Sequence, residues 1–242
     1  MHPHQETPVL REPVRIAGLW VRVILLVVLL WGGLLTVLSA NPRDRSAADF
    51  QAALRAGQVT YVIYEHGGED GDVRGLRWST GSLFWYRVKG LTEPTRRRPD
   101  LMIDPGTTAS RPVVRWVSSK DARFGPFPNW PFKVPVPSVD WLVKVAWIAA
   151  FVIMIGTARP RLGSRWAWFW LFTIGEIGAI LFLFFEPRAL WRGLGPQEPA
   201  PRRMSGRYGC LAAIGLNWLV LALFYSGLFG GVQALLEVLN RS

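Results

Sequence analysis

Four long apolar runs dominate the chain, and stretches of polar and charged residues separate them. The runs cover residues 16–40, 139–157, 166–185 and 208–236. A helix needs about 20 mostly apolar residues to cross the roughly 30 Å hydrocarbon core of a bilayer. The pattern therefore predicts four transmembrane helices, preceded by an N-terminal tail over residues 1–15.

Aromatic residues cluster at the ends of these runs. Tryptophan and tyrosine rings favour the headgroup region of a membrane, so their positions mark the edges of the predicted spans. They are Trp20, Trp141, Trp166, Trp168, Trp170 and Tyr208.

The first run has two interpretations. It ends in Leu38-Ser39-Ala40, a small-residue pattern that is compatible with signal-peptide cleavage. The apolar core of a signal peptide has about 7–15 residues, and this run is longer. A retained anchor is therefore favoured over a cleaved signal peptide.

The segment between the first two runs carries enough charge to form a soluble domain. Ser46 and Asp49 have the spacing of a capping box, Phe50 and Leu54 fall on one helical face, and Gly57 ends the helix. Strand-like runs follow at residues 59–64, 73–79, 83–89, 101–103 and 113–117. These elements predict a small α+β domain over residues 41–123, with Phe50 and Leu54 packed against a sheet.

The remaining connections are rich in proline or arginine. Residues 124–138 contain five prolines and are typical of a stiff, extended linker. Residues 186–207 form a loop rich in arginine and proline. The predicted fold class is thus a membrane α-helical protein of four transmembrane helices, with a small α+β domain inserted between helices 1 and 2.

Composition supports this class. Half of the 242 residues are hydrophobic and they are bunched into the four runs, which excludes a disordered chain and an ordinary cytosolic globule. Thirteen residues are tryptophan. Cys210 is the only cysteine, so no disulfide forms within the chain.

Arginine in the short connections predicts the orientation. The chain carries 28 Lys and Arg against 17 Asp and Glu, a net charge of +11. With four spans, seven short-segment arginines lie on the side of the two termini and five lie opposite, in the loop 186–207. Short cytoplasmic segments carry an excess of positive charge. The count favours a multipass cell-membrane protein with both termini cytoplasmic and residues 41–138 extracytoplasmic.

The start of the soluble domain resembles a known family. The pattern Ser46-x-x-x-Phe50-x-x-x-Leu54-x-x-Gly57-x-Val59-x-x-Val62 is similar to the opening of the extracytoplasmic domain of FtsH-type membrane proteases. The resemblance implies a helix and then a strand in a small domain just outside the first span. The protease and ATPase parts are not implied, because the chain has no Gly-x-x-x-x-Gly-Lys loop and no His-Glu-x-x-His motif.

A second resemblance covers the third run. The sequence from Arg165 to Leu171, together with Glu186-Pro187, is similar to a family of uncharacterised actinobacterial multipass membrane proteins. The preference for arginine over lysine, with much alanine, glycine and proline, agrees with a GC-rich source. This resemblance implies no activity.

Glu176 is the most notable single residue, because it lies near the middle of the third run. An ionised carboxylate there is costly, so we expect it to be protonated, paired or in contact with water. Asn217 in the fourth run lies at a similar depth and is the natural partner. The favoured interpretation is a neutral Glu176–Asn217 hydrogen bond that joins two helices, and the alternative is a proton or cation relay.

Other candidate residues concern packing and lipid contact. Gly227-x-x-x-Gly231 and Gly175-x-x-Gly178 have the small-residue spacing that lets membrane helices approach closely, within the chain or in a dimer. Arg202, Arg203 and Arg207 precede the fourth run and are candidates for contact with anionic lipids. The acidic turn around His66 favours a solvated loop over a cation site. No catalytic, cofactor or metal site is predicted.

These observations leave two hypotheses for function. The favoured one is a non-enzymatic anchored partner, sensor or scaffold that uses its soluble domain to contact another protein or a second copy. The alternative is a small transporter or channel subunit that uses Glu176. The predicted partners are the lipid bilayer and a protein, and not nucleic acid.

Overall fold

The computed structural model describes residues 12–66, 73–89, 112–118, 134–157, 160–174, 177–186 and 204–225. Within these ranges the chain has six helices and one five-stranded mixed sheet. It divides into two compact units. One contains residues 32–140 and 217–242, and the other contains residues 1–31 and 141–216.

The first unit holds the α+β domain. It follows helix α1 (Glu12–Ala40) and comprises β1 (Arg43–Arg45), α2 (Ala47–Arg55), β2 (Tyr61–His66), β3 (Val73–Ser79), β4 (Trp85–Val88) and β5 (Val113–Ser118). The strand order is β1-β4-β3-β2-β5. The inner pairs are antiparallel, whereas β1 runs parallel to β4 and β5 runs parallel to β2.

Helix α2 forms as the sequence predicts. The Ser46 hydroxyl accepts a hydrogen bond from the Asp49 amide, at 3.1 Å, and the Asp49 carboxylate accepts one from the Ser46 amide, at 3.0 Å. Gly57 adopts a φ of 70°, a left-handed conformation that ends the helix at little steric cost. Phe50 is fully buried and Leu54 packs partly buried against the same core, which confirms the predicted helical face.

The core of the domain lies between α2 and one face of the sheet. Its buried members come from α2, from the segment before β2 and from three strands: Phe50, Val59, Val62, Tyr64, Leu76, Trp78 and Val88. The predicted strands at 59–64, 73–79, 83–89 and 113–117 correspond to β2 to β5 with small shifts of their ends. The predicted strand at 101–103 lies outside the described residues.

Strand β1 was not expected from the sequence. Its three residues, Arg43, Asp44 and Arg45, are all charged, and the sequence predicts only a break after the first span. Backbone pairing with β4 makes it a strand, and Asp44 adds an ion pair with Arg87 at 3.0 Å. Such pairing depends on a partner some 40 residues away in sequence, which no local pattern reports.

The second unit is helical. It includes the first part of α1, most of α3 (Pro137–Gly156), α4 (Arg165–Thr173), α5 (Gly178–Phe185) and the first part of α6 (Gly206–Tyr225). Helix α3 begins within the predicted linker, and residues 124–133 of that linker lie outside the described residues. Among the residues described, α1 and α3 are long and apolar enough to cross a membrane.

The prediction of one continuous helix over residues 166–185 is wrong. The run forms two helices of nine and eight residues, α4 and α5. Ring contacts between the two helices show that they fold back on each other. The ring centroids of Trp168 and Phe182 are 5.3 Å apart, and those of Phe172 and Phe182 are 5.8 Å apart. In one straight helix, Trp168 and Phe182 would be separated by about 21 Å along the axis.

The exposed face of α3 is apolar. Trp141, Val145, Ile148, Val152 and Ile155 recur every three or four residues and are each at least half exposed. The buried positions of the same helix are Val143, Ala146, Ala150 and Met154. The larger apolar side chains of α3 thus mostly point away from the protein, and smaller ones line the protein contact. This arrangement is typical of a lipid-facing helix.

Candidate functional site

The ends of several helices meet at one place in the helical unit, which we call the helix junction. It consists of residues 161–164, which precede α4, Glu186 at the end of α5, and Met204, which precedes α6. The Met204 amide donates to the Leu162 carbonyl at 2.8 Å, and the Ser164 amide donates to the Met204 carbonyl at 2.9 Å. These bonds tie the beginning of α4 to the beginning of α6.

Glu186 closes the junction. Its side chain is fully buried, and its carboxylate accepts hydrogen bonds from two consecutive backbone amides, Arg161 at 2.7 Å and Leu162. Its own amide donates to Phe182 at 2.8 Å and ends α5. Bonds from backbone amides to a carboxylate are strong, and they offset the cost of burying the charge. Glu186 therefore holds the end of α5 against the residues that lead into α4.

Arg22 brings the first helix to the same place. Its guanidinium Nη2 donates to the Leu183 carbonyl at 2.6 Å, in the last turn of α5. Its positive charge also interacts with the carboxylate of Glu186. A cation near the last carbonyls of a helix is favourable, because those carbonyls carry partial negative charge. The N-terminal part of α1 thus lies beside the helix junction.

Small residues let the helices of this unit pack closely. A Cβ atom on Gly178 would overlap the backbone of Leu171, and one on Gly209 would overlap the Cα of Ala167. These contacts join α5 to α4 and α6 to α4. Close approach at Gly178 agrees with the packing role predicted for that glycine.

A groove lies along α2 in the other unit, and we call it the α2 groove. It has a volume of about 650 Å³ and is lined by Arg45, Asp49, Ala52, Ala53, Ala56, Gln58, Trp78, Thr80 and Tyr86. The Arg45 guanidinium lies 5.5 Å from the centre of the Tyr86 ring, and the Tyr86 ring lies 4.6 Å from that of Trp78. A cation and two aromatic rings thus form a continuous layer beside α2.

Two polar side chains that line the α2 groove, Asp49 and Trp78, differ in whether they have a hydrogen-bond partner. Hydrogen bonds from the Ser46 hydroxyl and amide hold the pKa of the Asp49 carboxyl below its usual range. The indole N–H of Trp78 is buried and has no hydrogen-bond acceptor among the described residues. A buried donor without an acceptor lowers the stability of the fold at this position.

Arg77 connects the α+β domain to the end of α1. Its Nε lies 2.7 Å from the Glu65 carboxylate of the neighbouring strand, and its Nη1 donates to the Ser39 carbonyl at 3.2 Å. Only residues 41 and 42 separate α1 from β1. The short connection and the Arg77 contact restrict rotation of the sheet about the helix end.

The structure describes only some of the predicted site residues. Asn217 is buried and takes part in a polar or electrostatic interaction. Glu176 lies outside the described residues, so the Glu176–Asn217 pair and the relay alternative both stay predictions. Gly227, Gly231, Arg202 and Arg203 also lie outside the described residues.

Arg207 is exposed in the first turn of α6. It lines a second groove, of about 500 Å³, together with Ser164, Trp166, Trp170, Ser205, Gly206 and Cys210. We call this the tryptophan groove. It opens beside the helix junction, between the first turns of α4 and α6.

Sequence reasoning missed Glu186 and Arg22 as partners. The sequence predicts Glu186 only as the first residue of the loop 186–207. One feature of the sequence does indicate that this residue needs a partner. An acidic residue directly after an apolar helical run is unfavourable to the helix dipole, so it needs a donor from elsewhere. The backbone donors come from residues 24 and 25 positions earlier, which the pattern does not identify.

Within the described ranges, no group of three or more His, Cys, Asp or Glu side chains is placed to hold a metal ion. The acidic turn after His66 lies outside those ranges.

Comparison with known proteins gives no relative. No protein-family model, curated protein or solved structure matches the chain.

Proposed function

We propose that the protein is a membrane-anchored interaction module whose α+β domain binds a segment of a partner protein. The proposal includes placement of the helical unit in the membrane, with the N-terminus cytoplasmic and the α+β domain outside. The apolar exposed stripe of α3 supports the membrane placement, because lipid does not penalise exposed valine and isoleucine. The resemblance of residues 46–62 to FtsH-type extracytoplasmic domains agrees with an external position.

The α2 groove carries the binding part of the proposal. The groove of about 650 Å³ beside α2, with Trp78 and Tyr86 in its lining, is the observation that most favours a ligand there. Arg45 and Tyr86 add a charged and aromatic rim. Arginine and aromatic residues are enriched where protein interfaces have their strongest contacts.

Attachment to α1 supports a role in sensing as well as anchoring. Arg77 bonds both Glu65 in the sheet and the Ser39 carbonyl at the end of the helix. A partner bound at the α2 groove would therefore act on a sheet that a short connection holds to α1, and could change the orientation of that sheet relative to the end of the helix. A flexible linker at this point would transmit no such effect.

Site-specific photo-crosslinking in native membranes tests the binding proposal. A crosslinking residue at Ala52, in the α2 groove, is compared with one at Arg55, which is exposed on the same helix but does not line the groove. We expect a discrete product from Ala52, reduced by Arg45→Gln, and no such product from Arg55. A product at twice the chain mass would identify the partner as a second copy.

Two results would contradict the proposal. Equal products from Ala52 and Arg55 would show that the groove is not the contact. A product from Ala52 that Arg45→Gln leaves unchanged would show that the Arg45 charge does not contribute to binding.

A further inference from the structure

The geometry points to a re-entrant hairpin: α4 and α5 enter and leave the membrane on the same side. The inference rests on the proposed membrane placement and goes beyond it. Glu186, at the end of α5, bonds the backbone amides of Arg161 and Leu162, just before α4. The chain therefore returns to the level at which the hairpin began.

The interior of the hairpin agrees with this closure. Gly178, in the first turn of α5, lies against the backbone of Leu171 near the end of α4. Further along both helices, the rings of Trp168 and Phe182 are in contact. Residues near the turn pair with each other and residues far from the turn pair with each other, as in two antiparallel helices.

Neither helix is long enough to cross a membrane alone. With nine and eight residues they are about 14 Å and 12 Å long at 1.5 Å per residue. A bilayer core is roughly 30 Å thick. The folded pair therefore reaches about halfway and turns back, with its backbone hydrogen bonds kept inside helices as the apolar environment requires.

The neighbouring helices fix the side. Met204, two residues before α6, bonds Leu162 and Ser164, so α6 also begins at the helix junction. Arg22, near the start of the first apolar run, bonds Leu183 beside the same place. The hairpin thus opens on the side from which α1 starts, and residues 187–203 leave and rejoin the described chain on that side.

A re-entrant hairpin changes the number of arginines that lie on each side of the membrane. The three arginines up to Arg22, the three from Arg159 to Arg165 and the five from Arg188 to Arg207 fall on one side. Arg241 alone remains on the other. Eleven against one is a strong positive-inside pattern, whereas four continuous spans give seven against five. The C-terminal end of α6 is then opposite the N-terminus and on the side of the α+β domain.

Cysteine accessibility tests the hairpin. In a full-length Cys210→Ala background, single cysteines are introduced by Arg55→Cys in the α+β domain, outside the α2 groove, Gln197→Cys between α5 and α6, and Ser242→Cys. Intact cells are treated with a membrane-impermeant maleimide, then lysed and treated again. We expect labelling of the Arg55→Cys and Ser242→Cys variants before lysis and of the Gln197→Cys variant only after lysis.

The outcome depends on which of the three introduced cysteines lie on the same side of the membrane. Labelling of Gln197→Cys on the same side as Arg55→Cys, with Ser242→Cys on the other, would mean that residues 166–185 cross the membrane and would overturn the hairpin. If Arg55→Cys and Ser242→Cys are both protected while Gln197→Cys reacts, the hairpin stands and the proposed orientation fails. The two inferences are thus separable.

The tryptophan groove supports a second inference: we infer that an anionic phospholipid occupies it. Arg207, Ser164 and Ser205 line it together with Trp166, Trp170 and Cys210. Guanidinium groups bind phosphate through paired hydrogen bonds, and indole rings favour the boundary between headgroups and acyl chains. A headgroup phosphate at Arg207 with an acyl chain along the tryptophans satisfies both parts of the groove.

Lipid retention by the purified full-length chain tests this site. The chain is reconstituted in vesicles of phosphatidylglycerol and phosphatidylcholine, extracted in mild detergent and analysed by native mass spectrometry. One arginine near a membrane surface contributes about 1 kcal/mol, or about fivefold, to anionic lipid binding. We expect preferential retention of phosphatidylglycerol and an about fivefold loss in Arg207→Gln, with Arg55→Gln in the α+β domain as the unaffected control.

Three outcomes would overturn the lipid site. They are equal retention of the two lipids, no loss in Arg207→Gln, and displacement of the lipid by millimolar inorganic phosphate, which would identify a free-anion site instead. The measurement does not depend on which side of the membrane the groove faces, so it stands or falls separately from the hairpin.

Discussion

The α+β domain and helix α3 place most of their large apolar residues in opposite ways. In the core of the α+β domain the large side chains of Phe50, Trp78 and Trp85 are buried. On α3 most of the large side chains are exposed, and alanines such as Ala146 and Ala150 are buried. Water drives large apolar groups inward, whereas lipid is as apolar as the protein interior and leaves close packing of small groups to hold helices together.

The largest effect is expected from emptying the core of the α+β domain. Phe50→Ala removes a fully buried ring at the centre of that core and should lower the free energy of unfolding by about 3–5 kcal/mol. Val113→Ala, at an exposed position on β5, should change it by less than about 0.5 kcal/mol. Thermal unfolding of the full chain, followed by near-ultraviolet circular dichroism, measures both. A small effect of Phe50→Ala would show that the helix does not depend on this face.

A charge placed on each unit tests the difference in solvent directly. Ile148 near the middle of α3 and Val113 on β5 are both about half exposed. Ile148→Asp should cost about 2.5–3.5 kcal/mol in membrane insertion, because the proposed membrane placement puts this side chain in lipid. Val113→Asp should be tolerated, because the same proposal leaves the α+β domain in water. Membrane-fraction yield of the two variants is the measurement, and equal yields would contradict a lipid-facing α3.

Glu186 is expected to be essential for closing the hairpin. Glu186→Gln keeps the size of the side chain but replaces one acceptor oxygen by an NH₂ group, which faces a backbone N–H and cannot accept its bond. The loss of one charge-assisted bond should cost about 1.5–3 kcal/mol. Melting temperature in detergent is compared with that of Glu65→Gln, whose partner Arg77 is a side chain that can adjust. Equal shifts would mean that the two amides at the junction have no special role.

Small-to-large changes should matter in the helical unit. Gly209→Ala places a methyl group against the backbone of Ala167 and should cost about 1–3 kcal/mol. Gly215→Ala on the same helix meets no atom within 4 Å and should be neutral or slightly stabilising. Their melting temperatures in the same detergent give the comparison. Similar behaviour of the two variants would contradict close packing of α6 on α4.

The smallest expected effect concerns the pH dependence of the α2 cap. The pKa of Asp49 is lowered in the folded state, so its charged form stabilises the fold at pH values above the ordinary aspartate pKa of about 3.9. This contribution is lost as the pH falls through the lowered pKa. Asp49→Asn should therefore be less stable than the native chain near neutral pH, and the difference should shrink on acidification. A difference that grows at low pH would show that the carboxylate is not the stabilising form.

Local sequence determined α2 and its cap. Ser46 and Asp49 satisfy each other within one turn, and Phe50 and Leu54 define the buried face without help from distant residues. The long apolar runs likewise determined α1 and α3, because length and composition are what a membrane span requires. In these elements the information lies within a few neighbouring residues.

Only the tertiary structure decided that residues 166–185 form two helices and that residues 43–45 form a strand. An apolar run such as residues 166–185 has no polar face to mark where it turns, so a continuous helix and a folded hairpin share one hydrophobic pattern. The hydrogen bonds from the Arg161 and Leu162 amides to Glu186 favour the hairpin, and they join residues 24 and 25 positions apart in the sequence. Strand β1 is similar, since three charged residues become a strand only when β4 lies beside them. Both features depend on backbone groups, which every residue carries and which no side-chain pattern distinguishes.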